Sequence, residues 1–301
     1  MNSPVEALVR RAEIVRGIRA FFDGLGFVEV ETPVRIAAPA PEEHIDCPVV
    51  LGTTSGDAIC PNPSGGRGVS YLRASPELQM KKLLAAGMDR IYQIGPCFRE
   101  GEKGSRHNPE FTMIEWYRRG ATYLDIAEDL ERLLASLAPL SATAIDRCRQ
   151  LSVHEAYRRY AGWDPWTDFD QDRFDFDMAT KIEPAIKALG GGVFLMDYPP
   201  QAASLAKLSQ SGDAERWEFY WNGMELANCF TELCDGDEQT RRFEKARDNR
   251  KALGESDYPI DREFLVELPK IGSAAGVALG VDRLVMVLTG ANDIASVRAP
   301  C

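Results

Sequence analysis

Two short stretches concentrate residues able to do chemistry. In FREGEKGSRHNPEFTMIEWYR (98–118), Arg99, Arg106, His107 and Asn108 crowd beside Glu100, Glu102 and Glu110 between two strand-like arms. Such a loop is either a solvated hairpin tip or a cradle for an anion, since guanidinium groups bind oxyanions in pairs and stay charged. In ERWEFYWNGMELANCF (215–230) the Asn222–Gly223 pair is a strong two-residue hairpin signal. With that turn, Tyr220 opposes Glu225 and Glu218 opposes Ala227, so Glu218 and Glu225 share a face as diagonal neighbours. Two carboxylates side by side repel. Either each pairs with a lysine or arginine, or they hold Mg²⁺ against phosphate oxygens. Glu232 lies seven beyond Glu225, on the opposite face of a regular strand, and joins the pair only if a bulge or the strand end intervenes. In EFTMIEWYR, alternation places Phe111, Met113, Glu115 and Tyr117 together. Glu115 and Tyr117 are either plain surface or the carboxylate and aromatic wall of an ammonium pocket.

Hairpins and helices must position these groups. Residues 3–23 form a helix, with Ser3 and Glu6 as a capping box, Pro4 in the first turn, and an apolar stripe of Leu8, Ala12, Val15, Ile18, Phe21 and Phe22. FVEVETP follows as a strand closed by Pro33. Residues 52–68, rich in Gly, Pro and Ser, are expected to be a mobile loop. A strand, a turn at Ser75–Pro76 and a helix to Gly87 come next, then the hairpin IYQIGPCFR/EFTMIEWYR and an amphipathic helix TYLDIAEDLERLLASLA. Residues 139–192 suggest a partly helical insertion. VFLMDYPP is a strand, a charged helix covers 237–252, and GVALGVDRLVMVLTG runs from strand to helix. Strands arriving in hairpins predict an α+β fold with one mostly antiparallel sheet flanked by helices.

Bulk properties narrow the function. A formal charge of −11 argues against broad binding to a phosphate backbone, and Arg147, Arg149, Arg158 and Arg159 read as a solvated helix face. Seven cysteines without a CxxC pair, and only three histidines, speak against a zinc site and for a reduced, cytoplasmic setting. No apolar run approaches a membrane span, and the N-terminus lacks a signal peptide's apolar core. Neither GxxxxGK[ST] nor GxGxxG occurs.

With these residues assembled, the chain resembles the catalytic domain of class II aminoacyl-tRNA synthetases, in the lysine branch. SPELQMKKLLAAG (75–87) with FRE…RHNPEFTMIEWY is similar to that branch's second motif, and GVALGVDRLVM (276–286) to its third. The N-terminal helix with FVEVETP resembles the first, which forms the dimer interface in this class. DYPPQAASLAK (197–207) and residues 215–244 also match the lysine type. The first motif begins almost at Met1, so the anticodon-binding barrel of a lysyl-tRNA synthetase is not expected; one catalytic domain over 1–301 is. The similarity is greatest to the stand-alone paralogues that attach (R)-β-lysine to a lysine side chain of elongation factor P. Ala278 stands where the synthetases have glycine, as in those paralogues.

The resemblance implies roles. The hairpin wraps ATP, with Arg99 bridging the substrate carboxylate and the α-phosphate and Arg283 on the γ-phosphate. Glu218 and Glu225 are the implied Mg²⁺ ligands. Leu226 and Gly280 contact the nucleotide through backbone, and Asn108 with Glu100, Gly101 and Glu102 holds the adenosine. The family reads FRNE where this chain reads FREGE, so either Glu100 or Glu102 fills the acidic place. Ser75, Pro76, Glu77, Glu115, Tyr117, Glu232 and Ala278 are expected to surround lysine or (R)-β-lysine. A homodimer is implied, with elongation factor P as acceptor and no membrane or tRNA partner. Two alternatives are a truncated synthetase-like enzyme charging a tRNA or tRNA-like acceptor and a catalytically silent regulatory paralogue. Retention of Arg99, Glu218, Glu225 and Arg283 counts against the second.

Overall fold

The fold is that of a computed structural model, described over residues 4–52, 69–142, 145 and 148–300. Ser3 of the expected cap, the loop at 53–68 and Arg147 lie outside the described residues. The elements run α1 (Pro4–Gly24), β1 (Val28–Glu29), β2 (Arg35–Ile36), β3 (Val49–Leu51), β4 (Val69–Leu72), α2 (Glu77–Ala85), β5 (Arg90–Phe98), β6 (Glu110–Arg119) and α3 (Tyr123–Leu137). They continue with β7 (Arg149–Ser152), α4 (Val153–Ala156), α5 (Gln171–Asp177), α6 (Glu183–Leu189), β8 (Gly192–Tyr198), β9 (Ala214–Trp221) and β10 (Met224–Thr231). The last are α7 (Gly236–Leu253), α8 (Arg262–Glu267), β11 (Ala274–Gly280) and α9 (Val281–Thr289).

Eight strands form one sheet in the order β1-β5-β6-β11-β10-β9-β8-β7, and β2-β4-β3 form a second, small one. The centre of the large sheet is antiparallel, as the hairpins predict. Its two edges are not: β1 runs parallel to β5 and β7 parallel to β8. FVEVETP thus contributes only two paired residues, at an edge. The sheet is therefore mixed at its margins while mostly antiparallel overall.

One face of this sheet is the core. Ile114, Trp116, Val277, Leu279, Cys229, Trp217 and Phe219 lie on it and pack against Ile14, Ile18 and Phe22 of α1, the apolar side of α3 and α9. The stripe of α1 is narrower than expected: Ala12 is exposed, while Ala7, Ile14, Ile18 and Phe22 are buried. Residues 148–192 hold the strand β7 and the helices α4, α5 and α6, with Tyr157 stacked on Phe174 at 4.6 Å in a separate apolar cluster.

The opposite face carries polar groups in register. Gln93, Glu115, Ala278, Asn228 and Glu218 stand in one row across β5, β6, β11, β10 and β9. Tyr117, Gly276, Phe230 and Arg216 form the next row. The β9–β10 hairpin has Asn222 and Gly223 in the left-handed region, at φ 48° and 73°. Tyr220 pairs with Glu225 as expected, but Glu218 pairs with Asn228, not Ala227, because a bulge falls between Glu225 and Ala227.

Candidate active site

The bulge decides the composition of the site. The extra residue, Leu226, resets the alternation, so Glu225, Asn228, Phe230 and Glu232 all face one side. Glu232, which alternation alone left on the far face, thereby lines the same cavity as Glu225. That cavity encloses about 340 Å³ on the polar face of the sheet.

The acidic end is built from α2, β6 and the end of β10. The Ser75 hydroxyl donates to Glu115 at 2.6 Å and the Tyr117 hydroxyl at 2.8 Å, fixing a carboxylate that is 1 % exposed. Burial, with the Glu77 charge added, pushes the Glu115 carboxyl up to about 7 despite those hydrogen bonds. The Tyr117 ring lies flat over β11 because position 276 is glycine: a Cβ there would meet ring atoms at 2.1 and 2.2 Å. Lys81, one helical turn beyond Glu77, is 1 % exposed, donates to Glu77 at 2.5 Å and forms an ion pair with Glu232. Burial alone would lower its pKa, but Glu232 and Glu77 outweigh burial and hold it above the ordinary lysine value. Burial drives Glu232 up to about 8 in spite of Lys81. Lys81 thus serves Glu77 and Glu232, while Glu115 takes its hydrogen bonds from two hydroxyls.

The other end is built from the β5–β6 hairpin, the bulge and the start of α9. Arg99 extends over the Phe111 ring at 5.2 Å and reaches Glu102 at 3.5 Å. Its Nε is buried with no hydrogen-bond partner among the described residues. Arg283 is held by the carbonyls of Glu225 at 2.9 Å and Arg106 at 3.2 Å, and by His107 Nε2 at 2.6 Å. Burial, then Arg283, depress the His107 pKa, which suits a neutral ring accepting from that guanidinium. Asn108 lines the cavity, its amide held to the Glu110 carbonyl at 2.6 Å. A Cβ at Gly280 would meet only the Arg283 methylenes, at 3.9 Å and beyond, so the chain itself leaves that backbone open to the cavity.

Glu218 and Glu225 share the face. Glu218 accepts from Arg216 at 2.5 Å and from Tyr220 at 2.6 Å. Glu225 is 43 % open to the cavity and lies 3.8 Å from Arg283. Burial, then the Glu218 charge, lift the Glu225 carboxyl to about 7 against the pull of Arg283. Among the described residues no group of three His, Cys, Asp or Glu side chains is placed to hold a metal by itself.

Of the residues singled out in the sequence, Ser75, Glu77, Arg99, Glu102, Asn108, Tyr117, Glu225, Leu226, Glu232, Ala278, Gly280 and Arg283 line the cavity. Glu115 stands just behind Ser75 and Tyr117. Glu100 is exposed and, like Gly101, lies off the wall, so of the two acids Glu102 is the one beside Arg99. Pro76 is buried at the start of α2, outside the wall. Glu218 lines an adjoining cavity instead. Sequence reasoning missed Lys81, Arg216, Asn228 and Glu42. Helical spacing from Glu77 and strand parity with Glu218 would have found the first two.

This antiparallel platform, with an arginine from the hairpin and another after β11, is a class II synthetase arrangement. The chain belongs to the tRNA synthetases of class II (D, K and N), whose family model matches residues 2–299, and that family uses ATP. It is also 36 % identical to the elongation factor P–(R)-β-lysine ligase of Proteus mirabilis, over 99 % of this chain and 95 % of the relative. The ligases of the same name from Mannheimia succiniciproducens and Photorhabdus laumondii are likewise 36 % identical, with the same coverage. No helix of the described residues is long and apolar enough to cross a membrane.

Proposed function

We propose that the chain activates (R)-β-lysine or lysine with ATP and transfers it to a lysine side chain of elongation factor P. One observation carries this: a cavity with Glu77, Glu115 and Glu232 around one end and Arg99 and Arg283 at the other. The acidic end suits a substrate with two ammonium groups, since Lys81 alone is paired with Glu77 and Glu232 and the hydrogen bonds to Glu115 come from hydroxyls. The basic end suits the carboxylate and the triphosphate. Relatives named for the same activity along nearly the whole chain support the reading.

We assign the residues the following contributions. Glu77 and Glu232 bind substrate amines with the oxygens that Lys81 leaves free. Glu115 and Tyr117 close the pocket behind Ala278. Arg99 brings the substrate carboxylate and the α-phosphate together, two anions that repel without it. The carboxylate then attacks phosphorus, the acyl-adenylate forms and pyrophosphate leaves, with Arg283 neutralising the departing charge. Glu102 and Asn108 hold the adenosine. Mg²⁺ fits beside Glu225 and Glu218, two carboxylates on one face of the ribbon, the first of them open to the cavity. When bound it would neutralise phosphate charge. We read residues 1–301 as one catalytic domain working in the cytoplasm, in keeping with the free cysteines 47, 97, 148, 229 and 234. We also infer a homodimer through α1 and β1, where Val5, Val9 and Val28 are 69, 53 and 51 % exposed.

The test is ATP–pyrophosphate exchange stimulated by (R)-β-lysine or lysine, followed by label transfer with elongation factor P and tRNA both present. Arg99→Ala should lower exchange by about 10²–10³-fold. Exchange at background with every amino acid would refute activation, and label on RNA alone would reassign the acceptor.

A further inference from the structure

The second half-reaction needs a way in for the acceptor amine and a destination for its proton. A second cavity, of about 830 Å³, adjoins the first and shares Glu42, Ile45, Ser204, Leu205 and Glu225 with it. Its walls carry seven carboxylates against four arginines and lysines. Three of those cations are already paired, Arg216 with Glu218 and both Arg241 and Arg242 with Glu238. The second cavity is therefore suited to a cationic side chain, and it adjoins the one that Arg99 lines.

Glu42 stands at that junction. Its carboxylate has neither a hydrogen bond nor an ion pair among the described residues. Its backbone, in contrast, is fixed. Wholly buried Arg250 donates to the carbonyls of Glu42 at 2.7 Å, Glu43 at 3.3 Å and Ile45 at 3.2 Å, and to Asp46 at 2.6 Å. The same guanidinium lies 4.4 Å from the Tyr258 ring centre, and the Asp46 carbonyl accepts from Glu100 N–H at 2.8 Å. A rigid loop thus presents an unengaged carboxylate to both cavities. Burial raises its pKa, with Arg99 opposing, Glu77 adding, and Arg216 and Arg250 opposing.

We propose that the second cavity admits the acceptor's lysine side chain and that Glu42 takes the proton its nitrogen sheds during transfer. The proposal rests on the ligase reading above. In the step, the entering ammonium first gives one proton to solvent, and a bond then forms between the free ε-amine nitrogen and the acyl carbon. The bond from that carbon to the phosphate oxygen breaks, and AMP leaves with the electron pair. The proton made acidic as the nitrogen attacks passes to Glu42 and then to solvent, leaving an amide.

The experiment separates the two half-reactions. Glu42→Gln and Glu42→Asp are assayed for ATP–pyrophosphate exchange, and for single-turnover transfer from preformed adenylate to elongation factor P. Loss of a general base predicts transfer about 10²-fold slower in Glu42→Gln, with exchange down less than about fivefold. Transfer by that variant should climb steadily from about pH 6 to 9 as free amine accumulates, and Glu42→Asp should recover part of the rate. Three outcomes overturn the assignment: transfer within about twofold of wild type, equal loss of both half-reactions, or an exchange-competent Asp variant no faster than Gln. A wild-type chain that supports no exchange would instead sink the ligase reading itself.

Discussion

Glu225 and Glu232 point into one cavity although they lie seven positions apart on the same ribbon. Regular alternation would separate them, and the bulge at Leu226 reunites them. The strand thereby serves both ends of the cavity, with Glu225 near its start, 3.8 Å from Arg283, and Glu232 just beyond its last residue, paired with Lys81.

At the amine end, Lys81 is predicted to hold Glu77 and Glu232 in place. Lys81→Met leaves two buried carboxylates without their cation and should destabilise the fold by about 3 kcal/mol or more in urea titrations. The variant should lose stability most at alkaline pH, where the carboxylates can no longer escape by protonation. Glu232→Gln keeps the shape and removes one charge-assisted contact. It should raise KM for the diamino acid about 10- to 100-fold in exchange assays, with a smaller effect on kcat.

Stability of the free protein should fall as pH rises from about 5 to 8. Glu115 lies near 7 in the fold against an ordinary 4.5. The folded state therefore keeps a proton that the unfolded chain has released, and stability declines between those values. For Glu115 alone the loss is on the order of 3 kcal/mol. Urea unfolding across that range should show the slope, Glu115→Gln should flatten it, and a slope of opposite sign would contradict the burial of this carboxyl. KM for the amine substrate should improve over the same range as the carboxylates ionise.

Gly276→Ala places a methyl where the Tyr117 ring now lies. The ring must leave Glu115 or the strand must shift, at a cost of about 1–3 kcal/mol. A lowered urea midpoint together with a raised KM for the amino acid is expected. An unchanged KM would mean that Tyr117 does not shape the pocket.

Glu225→Gln removes one of the two crowded carboxylates. Exchange should then need at least about tenfold more Mg²⁺ for half-maximal rate, a charged contact being worth about 1.5–3 kcal/mol. An unaltered Mg²⁺ titration would take Glu225 out of the metal site.

Much of this was legible in the chain. The hairpins at 90–119 and 214–231, the helices and the shared face of Glu218 and Glu225 follow from alternation and from the Asn222–Gly223 turn. The Leu226 bulge was not, because a single extra residue leaves no mark on local composition. Glu218 opposite Asn228 and Glu232 inside the cavity both depend on it. Glu42 was invisible for another reason: its place is set by Arg250, more than two hundred positions away, and long-range contacts of one side chain with a loop have no periodicity.

The strand order has a consequence for how the molecule is made. β11 follows every other strand among the described residues, yet it lies between β6 and β10 at the middle of the sheet. Until residues 274–280 have been synthesised and inserted, the β5–β6 hairpin and the β8–β9–β10 ribbon are two half-sheets with bare inner edges. Pieces truncated before Ala274 should accordingly be sticky and inert, and assembly of the site waits on a single strand sliding into a gap between two preformed halves.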